Sequence, residues 1–219
     1  MRRWYKIYAN HILRPYLQWK LRKPVTYRGY GLTIRIPSGV FHPKYYHSTT
    51  YLLEFLKNQH LSGTTFLELG CGSGLISLCA AKEGAHVTAV DIHPTAVEAL
   101  RENAQVNSLE LEVLASDMFG QLSNRQFDII AINPPYYPKD PANHAEMAWF
   151  CGVHFEYFEN FFSEFPKHLS KRGIGWMVLS EDCDLGQIAE IAERHRVRME
   201  EHCRQSFLGE YQIIYSLQV

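Results

Sequence analysis

The chain has 219 residues, 46% of them hydrophobic and 21% charged, with a formal net charge of −1. That composition fits one core-bearing globular domain plus an extension. No apolar run approaches the roughly 20 residues of a spanning helix, and the first residues lack a signal-peptide core or a small-residue cleavage site.

The charge is unevenly distributed. Residues 1–53 hold ten Lys/Arg and no acid, the first acidic residue being Glu54, so a basic extension precedes an acidic domain. The five cysteines (Cys71, Cys79, Cys151, Cys183 and Cys203) are scattered and never form a C-x-x-C pair. Reduced thiols and a cytoplasmic location are expected from that usage.

In chain order, residues 4–23 read as a helix. Trp4, Tyr5, Ile7, Tyr8, Ile12, Leu13, Leu17 and Trp19 form a wide apolar face, and Pro15 kinks or divides it. Alternation around Gly29 and Gly31 predicts a hairpin over 25–36, and a helical pattern resumes over 48–59. Strands are then expected at 65–69, 86–90, 111–115, 127–132 and 175–179. Helices are expected at 75–82, 94–107, 154–169 and 185–195, with a loop rich in Pro, Tyr and His over 134–147. Pro94 suits a first helical turn. Two strand-like stretches, 197–204 and 211–218, close the chain. Such alternation predicts an α/β fold: a mostly parallel sheet with helices on both faces and an antiparallel terminal hairpin. The division expected is a basic aromatic extension over 1–40 and a core domain over 41–219.

Gly70-Cys71-Gly72-Ser73-Gly74 joins an apolar strand to a helix. Glycines there permit positive φ and close approach of backbone to a ligand. The spacing departs from the dinucleotide fingerprint, because the third glycine comes one residue early and Leu75 fills the later position. Asp91, with Ile92 after it, closes the second strand, where a carboxylate can accept both hydroxyls of a ribose. Asp117 closes the third, suited to accept from an adenine amine while Met118 and Phe119 cover the ring. Taken alone, either Asp is more often a helix N-cap or loop residue than a ligand contact.

The order of these motifs over residues 40–219 resembles the class I S-adenosylmethionine-dependent methyltransferase family. The resemblance implies a Rossmann-like seven-stranded sheet and S-adenosylmethionine as cofactor. It also implies that Glu68, just before the glycine turn, helps frame the cofactor's amino-acid end. The cofactor set expected is Glu68, Gly70, Cys71, Gly72, Gly74, Asp91, Ile92, Asp117, Met118 and Asn133.

Asn133-Pro134-Pro135-Tyr136 follows the fourth strand. A planar NH2 group is a poor nucleophile because its lone pair is delocalised. Two acceptors engaging its N–H bonds can pin the nitrogen and stabilise positive charge as it develops. The Asn133 side-chain oxygen and the Pro134 carbonyl are the expected acceptors, Pro135 holds the turn extended at its predecessor, and Tyr136 offers a flat face. No general base is needed, since the methylated cation sheds its proton readily, and the absence of a Pro-Cys nucleophile argues against a pyrimidine carbon as acceptor.

The tetrapeptide resembles that of the amino-methyltransferases, which include adenine-N6 and protein-(glutamine-N5) enzymes. Ala148-Trp149-Phe150-Cys151-Gly152 and Val40-Phe41-His42-Pro43, followed by Thr49 and Thr50, are similar to segments of the glutamine branch. Cys151 stands where that branch has a second glycine, and Lys44-Tyr45-Tyr46-His47 replaces its acidic residues. The expected acceptor is a protein glutamine side chain or an RNA adenine. A cofactor-binding protein without turnover stays open, and a nicotinamide oxidoreductase is disfavoured by the glycine spacing. Residues 2–23, basic and aromatic, admit three readings: peripheral contact with an anionic membrane, tracking of nucleic-acid phosphates, or a helix docked on the acidic core. No metal is expected, because His42 and His47 lack the partners of a zinc site.

Overall fold

The computed structural model describes residues 23–38, 40, 47–142, 146–207 and 209–219. The expected basic helix over 4–23 and the Phe41-His42-Pro43 segment lie essentially outside them.

Among the described residues an antiparallel hairpin comes first, β1 (Val25–Gly29) and β2 (Leu32–Ile36), with Gly29 paired to Leu32. Helix α1 (His47–Leu56) leads into the alternating region. There follow β3 (Thr65–Leu69), α2 (Leu75–Lys82), β4 (His86–Asp91), α3 (Pro94–Val106), β5 (Glu112–Ala115) and β6 (Phe127–Ile132). Then come α4 (Glu156–His168), β7 (Leu169–Ser180), α5 (Leu185–Arg194), β8 (Arg198–Phe207) and β9 (Glu210–Gln218).

Seven strands form one sheet in the order β5-β4-β3-β6-β7-β9-β8. Pairing is parallel from β5 to β7, and β9 runs antiparallel to both β7 and β8. This is the Rossmann-like arrangement expected. The chain leaves β3 to one side through β4 and β5, then crosses to β6 on the other, so β3 and β6 flank the topological switch point. Ligands of open α/β sheets bind outside the carboxyl ends of strands at such a point.

The central strands are buried on both faces, which is why β3 reads Phe-Leu-Glu-Leu rather than alternating with polar residues. Phe66, Ala89, Ile129 and Val178 face one core with Leu52, Leu53 and Leu56 of α1, Leu75 and Leu78 of α2, and Leu100 of α3. Leu67, Val90, Ile130 and Met177 face the other. That second core holds Phe158, Phe161, Phe162 and Phe165 of α4, all buried and spaced as one helical face.

The start of β7 and the end of α1 differ from the sequence reading. Strand β7 begins at Leu169, six residues before the expected start, because Leu169 pairs with Phe127 ahead of a register shift. The intervening Ser170-Lys171-Arg172-Gly173 is too polar to read as strand. Helix α1 ends at Leu56, and the chain turns through Asn58, whose side chain donates to the Glu54 carbonyl at 2.9 Å.

The hairpin is fastened to α3 by two asparagines one turn apart. Asn103 accepts from the Arg35 amide (2.8 Å) and donates to the Arg35 carbonyl (2.9 Å). Asn107 does the same for Thr33, at 2.9 and 2.8 Å. Each side-chain amide thus acts as a surrogate strand neighbour for β2. Asn103 is also fully buried. Asn103→Ala is expected to lower stability by about 2 kcal/mol and Asn107→Ala by about 1 kcal/mol, because each leaves backbone groups unpaired. Urea unfolding of the two variants checks this order.

Candidate active site

Parallel register aligns the strand ends. Leu69 lies beside Val90 on one side and Ile132 on the other. Gly70 therefore sits between Asp91 and Asn133, with neighbouring strands about 4.8 Å apart. Asp91 in turn pairs with Ala115, which puts Asp117 two residues beyond the same edge. The sheet thus brings together the glycine turn, both acids and the Asn133 tetrapeptide.

Gly70, Gly72 and Gly74 all have positive φ, at 70°, 50° and 79°. A Cβ on Gly74 would meet Leu100 Cδ1 at 2.2 Å, so this glycine lets α2 pack against α3. A Cβ on Gly70 would meet nothing within 4 Å. The turn is closed by Gly70 and Cys71 amides donating to the Val90 carbonyl, at 2.9 and 3.0 Å. Cys71 is buried beneath it.

The acids act first on the scaffold. Glu68 is buried, and one of its oxygens accepts from the Ser77 amide (2.8 Å) and the Ser77 hydroxyl. It thereby ties the end of β3 to the first turns of α2. Burial pushes its carboxyl up to about 8, with Asp91 adding to the rise and the Ser77 bonds opposing it. Asp91 accepts from the Gly72 amide through Oδ2 and the His93 amide through Oδ1, both at 2.8 Å. Burial raises its carboxyl, and those two amides hold it down. Each carboxylate oxygen has a second lone pair, so Asp91 keeps acceptor capacity for hydroxyls. Ile92 is half-buried beside it.

Asp117 is exposed at the rim. Met118 after it adopts φ 42°, an uncommon conformation for a side-chain-bearing residue, and its carbonyl accepts from the Ser116 hydroxyl at 2.9 Å. Phe119 is buried under it, stacked on His168 with centroids 4.6 Å apart. Tyr157 of α4 is a neighbour that sequence reasoning missed. Burial, then the charges of Asp117 and Asp91, push its phenol upward, so its ring stands near both acids. Nothing in its local sequence signals that.

On the acceptor side, Asn133 is half-buried, and Pro134 and Pro135 are buried. The Asn133 Nδ2 donates to Ser48 Oγ (3.1 Å) and Thr49 Oγ1 (3.2 Å) in the first turn of α1. With the NH2 end held there, the carbonyl end of the amide points the opposite way. Tyr136 packs against the second core and the Tyr137 ring, centroids 4.8 Å apart. Burial, then Tyr137, Cys183 and Glu210, raise its phenol. Tyr136 thus presents a neutral aromatic surface.

The loop is secured from beyond. The Tyr137 amide donates to the Trp149 carbonyl and the Cys151 amide to the Tyr137 carbonyl, both at 3.0 Å. Gly152 has φ 87°, and a Cβ there would meet Glu156 Oε2 at 1.9 Å, which explains the glycine ending Ala-Trp-Phe-Cys-Gly. Among the described residues no group of three His, Cys, Asp or Glu could hold a metal ion, and no helix is long and apolar enough to cross a membrane.

Comparison with known proteins gives a match to the methyltransferase small domain over residues 31–204. The chain belongs to that family. It is a methyltransferase. A protein of Methanocaldococcus jannaschii, named provisionally as a protein N5-glutamine methyltransferase, is 34% identical over 140 residues, covering 61% of this chain and 71% of that one. The ribosomal RNA small subunit methyltransferase C of Chromohalobacter salexigens is 38% identical over 110 residues, covering 49% of this chain and 33% of that enzyme. This chain therefore spans about a third of the ribosomal RNA enzyme's length. Among solved structures, the Thermus thermophilus 16S rRNA N2 G1207 methyltransferase, in complex with AdoMet and guanosine, aligns with a TM-score of 0.63 and 22% identity. That alignment covers 89% of this chain and 50% of the Thermus chain, and it shows a shared fold.

Glu68 generates a pH test. Folded protein keeps the Glu68 proton up to about pH 8, whereas an unfolded chain releases it near 4.5. Between those values the unfolded state binds fewer protons, so stability falls as pH rises, by at most about 1.4 kcal/mol per pH unit for one group. Glu68→Gln is expected to retain the Ser77 bonds and to flatten that fall. Denaturant unfolding of both proteins from pH 5 to 8 checks it: their stability difference should shift steadily in favour of the variant.

Proposed function

We propose that this methyltransferase uses S-adenosylmethionine to methylate a planar NH2 group, the side-chain amide of a glutamine in a protein. The observation that carries the reading is the Asn133 side chain, beside Gly70 in the sheet register, with its NH2 held by Ser48 and Thr49. Its carbonyl oxygen is thereby offered as an acceptor at the switch point.

The residues present suit the cofactor. Open space over Gly70 admits a ligand against the backbone. Asp91 retains lone pairs for ribose hydroxyls, and Asp117 with Met118 and Tyr157 suits an adenine. Glu68 acts through the turn it anchors. Bound there, S-adenosylmethionine supplies an electrophilic methyl on a sulfonium.

The chain's own residues then treat the acceptor. Asn133 Oδ1 and the Pro134 carbonyl accept the two N–H bonds of the substrate amide. They hold its nitrogen and stabilise positive charge growing there. Tyr136, kept neutral, covers one face of the planar group. The proton leaves afterwards to water.

A glutamine acceptor is supported by the archaeal relative, most of whose length this chain covers, and by the charge of the domain. Residues 54–219 hold 12 Lys/Arg against 23 Asp/Glu, a field that disfavours a bare phosphate backbone. An adenine amine in RNA is the competing acceptor, favoured by the basic segment before Glu54.

Asn133→Ala is expected to lower methyl transfer at least 100-fold while S-adenosylhomocysteine affinity, read by calorimetry, stays within about threefold. Unchanged transfer would refute the role given to Asn133. With methyl-labelled cofactor and cell extract, label should survive nuclease and vanish with protease. Loss to nuclease would assign the RNA acceptor instead.

A further inference from the structure

Asn133 would accomplish nothing if its amide rotated freely, and β6 alone does not stop it. The restraint comes from a helix 84 and 85 residues earlier in the chain. Ser48 and Thr49 occupy the first turn of α1, where hydroxyls commonly cap their own helix. Thr50 spends its hydroxyl inside the helix, donating back to the His47 carbonyl at 3.0 Å. The Ser48 and Thr49 oxygens instead receive both N–H bonds of the Asn133 amide. Their own position is set by packing: Leu52, Leu53 and Leu56 bury the next two turns of α1 in the first core, against Trp176 and Val178 of β7. The helix is thus a rigid bracket resting on the sheet that carries Asn133.

We infer that Ser48 and Thr49 are positioning residues for the transfer reaction, fixing and polarising the Asn133 amide. The inference rests on the acceptor role proposed for Asn133. Two effects follow from the geometry. Fixing the NH2 end at two points removes rotation about the side chain, so the carbonyl oxygen meets the substrate nitrogen without reorganising. Donating both N–H bonds also draws electron density through the amide from nitrogen to oxygen, since hydrogen bonds in series polarise one another. Oδ1 becomes a better acceptor as the substrate nitrogen turns cationic. Neither hydroxyl need touch the substrate or the cofactor. An ordinary structural cap would have neither effect on the reaction.

The test compares Ser48→Ala/Thr49→Val with Asn133→Ala and with the conservative Thr49→Ser. Three readouts are taken: S-adenosylhomocysteine affinity by calorimetry, transfer of labelled methyl to the protein fraction of cell extract, and the side-chain amide resonances of Asn133 in 15N-labelled protein, assigned by their loss in Asn133→Ala. In the unsubstituted protein that amide should exchange slowly with solvent. In the double variant its protons should exchange at least tenfold faster and transfer should fall at least tenfold, with affinity within threefold. Thr49→Ser should keep transfer within threefold. Full transfer by the double variant alongside an inactive Asn133→Ala overturns the positioning role and leaves the acceptor role standing. Full transfer by Asn133→Ala overturns both. If the double variant fails to fold, rapid solvent exchange of the Asn133 amide in the unsubstituted protein still overturns the inference.

Discussion

Parallel hydrogen bonding of β3 to β4 on one side and β6 on the other is the constraint from which the site follows. Register leaves no choice: with Leu69 beside Val90 and Ile132, the next residues out are Gly70, Asp91 and Asn133. Three groups distant in sequence emerge side by side at one edge. A slip of one residue in either pairing would move the Asp91 or Asn133 side chain to the opposite face of the sheet. Burial on both faces resists that slip, since Leu67, Leu69, Ile130 and Ile132 fill one core while Phe66, Ile129 and Ala131 fill the other.

Within that frame, polar groups are spent on holding backbone before they meet any ligand. Glu68 anchors α2 through Ser77, and Asp91 bridges the glycine turn and the turn into α3. Both carboxyls are raised by burial, so the turn is kept in shape by groups that resist ionisation more than exposed acids do. The Asn133 amide follows the same logic, with its NH2 end committed to α1 and its carbonyl end, in the function we propose, given to the substrate. The far loop is closed by backbone bonds between Tyr137 and the Trp149–Cys151 stretch. A preorganised site of this kind needs little rearrangement when charge develops.

Much of this was legible in the residues themselves. The apolar runs of β3, β4 and β6, the glycine turn and the tetrapeptide after β6 are local signals, and register then joined them. The start of β7 was not legible, because Ser170 to Gly173 fall within a register shift between the Phe127–Leu169 and Ile129–Ile174 pairs, which composition does not announce. Glu68 suggested a ligand contact, while its visible partner is Ser77, a relation across the strand-to-helix turn. The Ser48–Thr49 grip and the approach of Tyr157 to Asp91 and Asp117 are tertiary facts. No periodicity or spacing encodes a bond across 85 residues, and a Ser-Thr pair at a helix start reads first as capping. The asparagine ladder between α3 and β2 was hidden likewise, since Asn103 and Asn107 look like ordinary helix-surface residues until β2 lies along them.

A crystal structure with S-adenosylhomocysteine bound would show whether these groups meet the cofactor and Asn133 as proposed. The expected result has the ligand's amino-acid end over Gly70, its ribose hydroxyls on Asp91, its adenine beside Asp117 and Met118, and Asn133 Oδ1 facing the sulfur with Nδ2 still on Ser48 and Thr49. A ligand lodged elsewhere, or an Asn133 side chain turned away from the sulfur and released from α1, would contradict it.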